Sequence, residues 1–169
     1  QGAEWLRWFA KNHAGDQPFG DRLPRSTEQI LHPDRYAAKD MPVVVRFTDD
    51  TTGVLHEDTF GEFEIAVLRS VLVGINEVPT QVAFGWGGDR MRLLASPEGA
   101  ALVWVTVWDD SRVAARFKTQ IADRLAARVR PGYRTTAEAL DVGGKAGVRV
   151  VVAPTAWARW SALPGVELR

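Results

Sequence analysis

The sequence predicts an α+β fold in which a mainly antiparallel sheet of two hairpins packs against a long amphipathic helix and a buried helix, with an N-terminal helical arm. Four segments have the composition of strands and are separated by turn residues: 90–95, 101–108, 135–142 and 148–153. An amphipathic helix is predicted over 111–129, between the two hairpins, and an apolar helix over 60–75 precedes them. Two hairpins separated by a helix favour an α+β sandwich.

The first 40 residues are predicted to form a helical and loop arm that packs on an α+β core of residues 41–169. No linker divides the two, so we expect one structural unit. The segment EWLRWFAKN places Trp5, Trp8 and Phe9 on one face at helical spacing. The stretch that follows is rich in Gly, Pro and Asp, which is typical of a loop.

The segment PRSTEQILHP indicates a short capped helix. Ser26 is suited to be the N-cap, and Gln29, three residues later, completes a capping-box pattern. Ile30 and Leu31 are expected to point inward. Pro33 disfavours helical geometry in the residue before it, so we expect the helix to end there.

The core is predicted to begin with a strand over 43–47, followed by a turn. The helix over 60–75 is apolar almost all round, which is typical of a central, buried helix. Its apolar side chains form two ridges: Phe63, Val67 and Val71, and Ile65, Leu68 and Leu72.

The long helix has clear start and stop signals. Asp110 and Ser111 can cap its first turn, and Pro131 with Gly132 ends the pattern. Its apolar residues recur every four positions: Val113, Phe117, Ile121 and Leu125. The segment TAWARWSAL near the end of the chain predicts a helical turn.

Composition excludes several classes of protein. The 169 residues include 21 basic and 21 acidic side chains, so no net charge favours nucleic acid as a partner. The absence of cysteine excludes disulfides, thiolate metal sites and a cysteine nucleophile. No apolar run is long enough to predict a membrane span. The chain begins with neither Met nor a signal pattern, so we expect either removal of an N-terminal part or a longer parent protein.

The histidines do not form a recognisable metal site. His13, His32 and His56 are scattered, and the segment HEDTF starts like a zinc-protease motif but has Phe60 in place of the second histidine. We predict no metal and no cofactor, and we expect residues 56–60 to form an exposed loop before the helix.

One set of residues has the chemistry for catalysis. Glu28, His32 and Tyr36 are spaced four residues apart, so a continuous helix would align them, although Pro33 interrupts such a helix. A histidine or a tyrosine hydroxyl in this position can stabilise an oxyanion. We favour an architectural role, because the cap, the apolar pair and the proline explain nearly every position.

A second set suits binding. The segment GWGGD, followed by Arg90, places Trp86, Asp89 and Arg90 beside glycines, and an exposed tryptophan there would line a ligand groove. The alternative is structural: the glycines make a bend, Trp86 packs in the core, and the two charged residues form local hydrogen bonds. By contrast, Trp104 and Trp108 lie four apart in a strand and are expected to face the core.

Four blocks resemble a known family. They are PRSTEQILHPDRY (24–36), DTFGEFEIAVLR (58–69), AFGWGGDRMRLL (83–94) and LVWVTVWDDSRVAARF (102–117). In this order they resemble the C-terminal half of uncharacterised bacterial and archaeal extracytoplasmic proteins, often lipoproteins or surface proteins. The upstream half of that family commonly carries an HExxH helix similar to a gluzincin metallopeptidase site, which this chain lacks.

The resemblance and the residues leave two functions open. The first is a non-catalytic C-terminal region of a metallopeptidase-like, extracytoplasmic protein, located in the periplasm or at the cell surface. The second is an accessory binding or assembly module that docks a partner protein or a small ligand. In both, the partner is a protein or the N-terminal region of the same protein, and the chain alone is not expected to be an enzyme.

Overall fold

The computed structural model describes residues 2–13, 20–76, 78 and 83–169. The helices are α1 (Gly2–Asn12), α2 (Thr27–Leu31), α3 (Pro33–Ala37), α4 (Gly61–Val73) and α5 (Ser111–Ala126). The strands are β1 (Val45–Phe47), β2 (Val54–Asp58), β3 (Trp86–Leu94), β4 (Ala101–Trp108), β5 (Tyr133–Val142), β6 (Lys145–Pro154) and β7 (Val166–Leu168). Short 3-10 turns occur at Gly20–Arg22 and Ala158–Ser161.

Five strands form one sheet in the order β2-β3-β4-β6-β5, and every neighbouring pair is antiparallel. The predicted hairpins are β3–β4 and β5–β6, with α5 between them, so the α+β class is confirmed. Helix α5 begins where its cap predicts, because the Asp110 carboxylate accepts a hydrogen bond of 2.8 Å from the Val113 N–H.

One face of the sheet packs against α4 and α5. Trp104 and Trp108 both lie on this face, as their spacing predicts, and the Phe117 ring of α5 contacts them with centroid distances of 5.6 and 4.6 Å. Ile65 of α4 and Ile121 of α5 complete the contact between helices and sheet.

The other face is covered by an antiparallel ribbon of β1 and β7 and by Trp157. Val45 and Phe47 of β1 are buried against this face, while Arg46 between them is exposed. Alternating residues of β4 contact the two layers: Trp104 belongs to the helical side and Val105 to the ribbon side. The sheet therefore has a packed core on both faces.

Two strands were not predicted, and three begin earlier than expected, β3 by the largest margin. Residues of the HEDTF segment form most of β2, an edge strand with largely exposed side chains, so the prediction of a loop there is wrong. Polar residues on both faces hide the alternation that marks a strand. Strand β3 begins at Trp86, since the chain passes Gly87 and Gly88 in a bulge rather than a bend before the strand. The three-residue β7 is too short to be recognised by pattern.

Helix α4 is buried along only part of its circumference. Ile65, Ala66 and Leu72 face the core, whereas Val71 is 59% exposed. The expected burial of the Val71 ridge is therefore wrong, because the sheet covers one side of this helix. Within the described ranges, no helix combines the length and the apolar character that a membrane span needs.

The arm reaches the core through α2, which packs against the start of α4. Gly61 adopts φ +84°, and a Cβ atom there would lie 2.7 Å from the Thr27 hydroxyl oxygen. The same hydroxyl accepts a hydrogen bond of 3.3 Å from the Phe63 N–H. The missing side chain at Gly61 thus permits close contact between arm and core.

Candidate functional site

The three catalytic candidates do not share one site. Helix α2 ends at Leu31 and α3 begins at Pro33, so His32 between them is extended, with φ −125° and ψ 90°. This break turns the side chains of Glu28 and His32 toward α4, whereas Tyr36 lies on the side of the arm that faces α1.

Tyr36 belongs to an aromatic cluster. Its ring meets Trp5 and Trp8 of α1 edge-on, with centroid distances of 5.3 and 5.9 Å. Its hydroxyl donates a hydrogen bond of 2.7 Å to the Arg22 carbonyl. These contacts attach α1 to α3, and we assign Tyr36 to arm packing.

His32 is paired instead with Glu62, a residue that the sequence did not single out. The distance between His32 Nε2 and Glu62 Oε1 is 2.9 Å, which is that of a hydrogen bond. Glu62 is completely buried, and its Oε2 atom has no hydrogen-bond partner in the part of the chain that the structure describes. Burial raises the pKa of Glu62. The hydrogen bond to His32 lowers the pKa, but burial has the larger effect, so the pKa is raised overall.

Glu28 is the second buried carboxyl of this junction. Burial, together with the nearby charge of Glu62, raises the pKa of Glu28 to about 7. Its nearest cation is Arg35, whose Nε lies 3.9 Å from Glu28 Oε1. The Arg35 guanidinium also forms an ion pair with Asp40 and another, of 2.9 Å, with Asp109. These carboxylates, Asp40 first, raise the pKa of Arg35.

Together, Glu28, His32, Arg35 and Glu62 form a charged junction that joins the arm to α4 and to the turn after β4. We call it the arm junction. Perturbed carboxyl groups are common at active sites, but ion-pair networks between structural elements produce the same shifts. His32 lies against Glu62 of α4, and Arg35 lies against Asp109 after β4; both contacts support attachment of the arm.

Removing the imidazole of His32 is expected to destabilise the protein. In His32→Ala, neither oxygen of the buried Glu62 carboxyl has a partner, and we expect the free energy of unfolding to fall by about 2 kcal/mol. Urea denaturation measures this change. The matched control is His56→Ala, because the His56 side chain is 57% exposed, and it should change stability by less than about 0.5 kcal/mol. Equal effects of the two substitutions would contradict the role of His32.

No group of three or more His, Asp or Glu side chains that could hold a metal ion occurs among the described residues. His56 lies on β2 with its Nε2 3.5 Å from the exposed carboxylate of Asp58.

The binding candidates lie on the other side of the α4 N-terminus, and Asp89 is the centre of this region. The carboxylate is 3% exposed and accepts four hydrogen bonds of 2.9–3.1 Å. The donors are two backbone groups and two indoles: the N–H groups of Phe60 and Gly61, and Nε1 of Trp86 and Trp104. Burial raises the pKa of Asp89, while these four donors favour its ionised form. Asp89 thus caps α4 from a neighbouring strand.

Trp86 and Arg90 are also held by internal contacts. Trp86 is 1% exposed and packs in the core, so its ring is not an open stacking surface. Arg90 Nε donates a hydrogen bond of 2.8 Å to Glu57 Oε1, and Arg92 Nε donates one of 2.7 Å to the other oxygen of Glu57. The side chains of Trp86 and Arg90 are therefore engaged in contacts within the protein.

All three binding candidates nevertheless line one open cleft, with a volume of about 590 Å³. Its first wall is the segment 42–47, which includes β1, and its second wall is the arm segment 25–27. Its floor is made by the end of β2, the start of α4 and the start of β3, at Glu57, 59–61, Trp86 and 88–90. This volume is in the range of sites for small ligands.

The charges of the cleft are not balanced. Glu57 is neutralised by Arg90 and Arg92, and the Asp89 carboxylate is enclosed by its four donors. Arg25 and Arg46 also line the cleft, and within the described part of the chain neither guanidinium forms an ion pair or a hydrogen bond. The accessible charge of the cleft is therefore positive.

Sequence reasoning missed Glu62, Arg25 and Arg46. A glutamate in the first turn of an apolar helix is usual near a helix N-terminus, so nothing in the pattern marked Glu62 as buried. Arg25 and Arg46 are 21 positions apart, and only the packing of the arm beside β1 brings them to one cleft. The position of Arg46 within the predicted strand 43–47 was the one feature of the sequence that could have identified it as a candidate.

Comparison with known proteins places the chain in a family without assigning a function. No curated protein and no solved structure matches it significantly. A family model described as a domain of unknown function (DUF8575) matches residues 46–161. This range is more than half of the chain and contains the whole five-stranded sheet with α4 and α5. The chain therefore belongs to the family defined by the domain of unknown function DUF8575.

Proposed function

We propose that this protein is a binding module that holds an anionic group of a ligand or partner in the cleft between the arm and β1. The observation that carries the proposal is the pair of arginines, Arg25 and Arg46, that line this cleft and have no carboxylate partner among the described residues. An unpaired guanidinium presents donors in a planar fork that suits carboxylate and phosphate groups.

The neighbouring groups support this choice. Arg90 lines the same cleft but is held by Glu57, so it contributes shape and donors without much free charge. The floor is rigid, because Asp89 joins the start of α4 to two buried indoles. A rigid site loses less conformational entropy when it binds a ligand.

We assign the arm junction to support of this cleft rather than to catalysis. Thr27 lines the cleft and lies next to Glu28, whose carboxyl is buried in the junction. The junction thereby sets the position of the arm wall, which carries Arg25. Membership of a longer, metallopeptidase-like extracytoplasmic protein stays a prediction from the sequence resemblance, and in such a protein the chain would be a non-catalytic module.

The proposal is tested by neutralising both arginines. We expect titration of the 15N-labelled protein with citrate at low salt to shift the amide resonances of the cleft, because citrate is a small polycarboxylate. The double substitution Arg25→Gln with Arg46→Gln should weaken this binding at least tenfold, as expected when charged hydrogen bonds are lost.

The matched control removes the same charge elsewhere. Arg112 and Arg116 are exposed on α5, and their double substitution to Gln should leave citrate binding within twofold of the original. Equal weakening by the two double variants would show only a general charge effect, and shifts outside the cleft would contradict the proposed site.

A further inference from the structure

One wall of the cleft is the outer edge of strand β1. The inner edge pairs with β7: Thr48 N–H donates to the Gly165 carbonyl, and Arg169 N–H donates to the Val44 carbonyl, both at 3.0 Å. In this register Arg46 is opposite Glu167. Hydrogen-bonded pairs alternate along an antiparallel ladder, so residues 44, 46 and 48 direct their backbone groups toward β7.

The residues between them direct their backbone groups the other way, into the cleft. Val43 N–H donates a hydrogen bond of 2.8 Å to the Gly87 carbonyl, which attaches this edge to β3 at one end of the cleft. Further along, the backbone N–H and C=O groups of Val45 and Phe47 have no hydrogen-bond partner among the residues that the structure describes. Both residues line the cleft although their side chains are buried, as expected when the backbone forms the wall.

We propose that the cleft accepts an extended acidic peptide segment of a partner protein, which adds as a strand to the outer edge of β1. This inference rests on the proposed function, since it identifies the class of partner for the same cleft. An unpaired edge is a template for another strand, and backbone hydrogen bonds then provide much of the affinity.

The charges around the edge select an acidic segment. Arg46 lies on β1 itself and Arg25 lies on the facing arm wall, so a strand between them would have a cation on each side. Glu167 is opposite Arg46 on β7 but forms no ion pair with it, which leaves the guanidinium able to contact an added carboxylate. The residues 43–47 span about 13 Å at roughly 3.3 Å per residue, the length of a short strand.

The test uses an acetylated and amidated peptide in which valine and glutamate alternate over six residues. We expect it to bind saturably and to slow hydrogen exchange of the Val45 and Phe47 amides at least tenfold. A matched peptide with N-methylated backbone amides cannot donate to β1 and should bind at least tenfold more weakly. A peptide with lysine in place of glutamate should lose binding to a similar extent.

Four results would overturn the inference. If citrate binds in the cleft but the acidic peptide does not, or if the N-methylated peptide binds equally well, the anion site stands and strand addition is wrong. If the Val45 and Phe47 amides become protected with protein concentration alone, and sedimentation shows a dimer, the occupant is a second copy. If neither citrate nor the peptide binds, the proposed function itself is wrong.

Discussion

Replacement of Asp89 by alanine is expected to lower the free energy of unfolding by about 4 kcal/mol. The substitution removes one carboxylate and leaves four donors without their acceptor: two backbone N–H groups at the start of α4 and the indoles of Trp86 and Trp104. A buried unsatisfied donor costs about 1–3 kcal/mol, and partial relaxation keeps the total below the sum. Urea denaturation followed by tryptophan fluorescence measures the change.

Two further variants test whether the loss of stability comes from the hydrogen bonds that Asp89 accepts. Asp58→Ala removes an exposed aspartate, whose carboxylate accepts a hydrogen bond from the neighbouring Thr59 N–H and lies 3.5 Å from His56 Nε2, and it should cost less than about 1 kcal/mol. Asp89→Asn keeps the size of the side chain but has one carbonyl acceptor instead of two carboxylate oxygens, so we expect an intermediate loss. A loss for Asp89→Ala as small as that for Asp58→Ala would refute the role of Asp89.

The stabilising effect of Glu28 is expected to depend on pH. The pKa of Glu28 is raised from 4.5 to about 7 in the folded protein, mainly by burial, so the folded state holds this proton more tightly than the unfolded state does. This tighter proton binding stabilises the folded state below pH 4.5. The stabilisation is lost as the pH rises through 7. A difference of this size corresponds to about 3 kcal/mol between pH 4 and pH 8.

The difference between the wild type and Glu28→Gln isolates this effect, because glutamine does not ionise. The stability of the wild type relative to this variant should fall by about 3 kcal/mol between pH 4 and pH 8. Glu62 acts in the same direction, since burial also raises its pKa. A constant difference for Glu28→Gln would show that its carboxyl is not held in a buried environment.

Asp89 and Glu28, the residues of these two predictions, lie on opposite sides of the N-terminus of α4: Asp89 on the side of the sheet and Glu28 on the side of the arm. Asp89 of β3 accepts hydrogen bonds from Phe60 and Gly61, while Glu62, the next residue, is paired with His32 of the arm. The first turn of α4 thereby connects the sheet, the arm and the floor of the cleft. We expect substitutions in the arm junction to weaken anion binding indirectly, through the position of the arm wall.

Local patterns were sufficient for the two hairpins and the long helix in the second half of the chain. The spacing of Phe117 and Ile121 predicted both the position of α5 and its buried face. An amphipathic helix has one apolar stripe, and that stripe packs against the core. The spacing of Trp104 and Trp108 assigned both rings to the same face, because side chains alternate in a strand. The capped turn from Ser26 to Leu31 was likewise predictable, and the Ser26 hydroxyl accepts the Gln29 N–H.

The candidate site was less accessible to such arguments. Glu28 and His32 were identified, but their partner Glu62 lies 30 positions beyond His32 and has the appearance of an ordinary first-turn glutamate. Trp86, Asp89 and Arg90 were identified as a set, yet the structure shows that their indole, carboxylate and guanidinium are used within the protein. The unpaired arginines of the cleft come from the arm and from β1, and no local pattern connects them.

The sequence by itself determined the class of fold, the two hairpins, the long helix and the capped turn, because periodicity and caps act within a few neighbouring residues. Only the tertiary structure decided that Glu62 is buried beside His32, that Asp89 caps α4 from β3, and that the outer edge of β1 at Val45 and Phe47 borders a cationic cleft. These features depend on contacts between residues 15 or more positions apart, whose energies are set by burial and by the direction of backbone groups after the layers have packed.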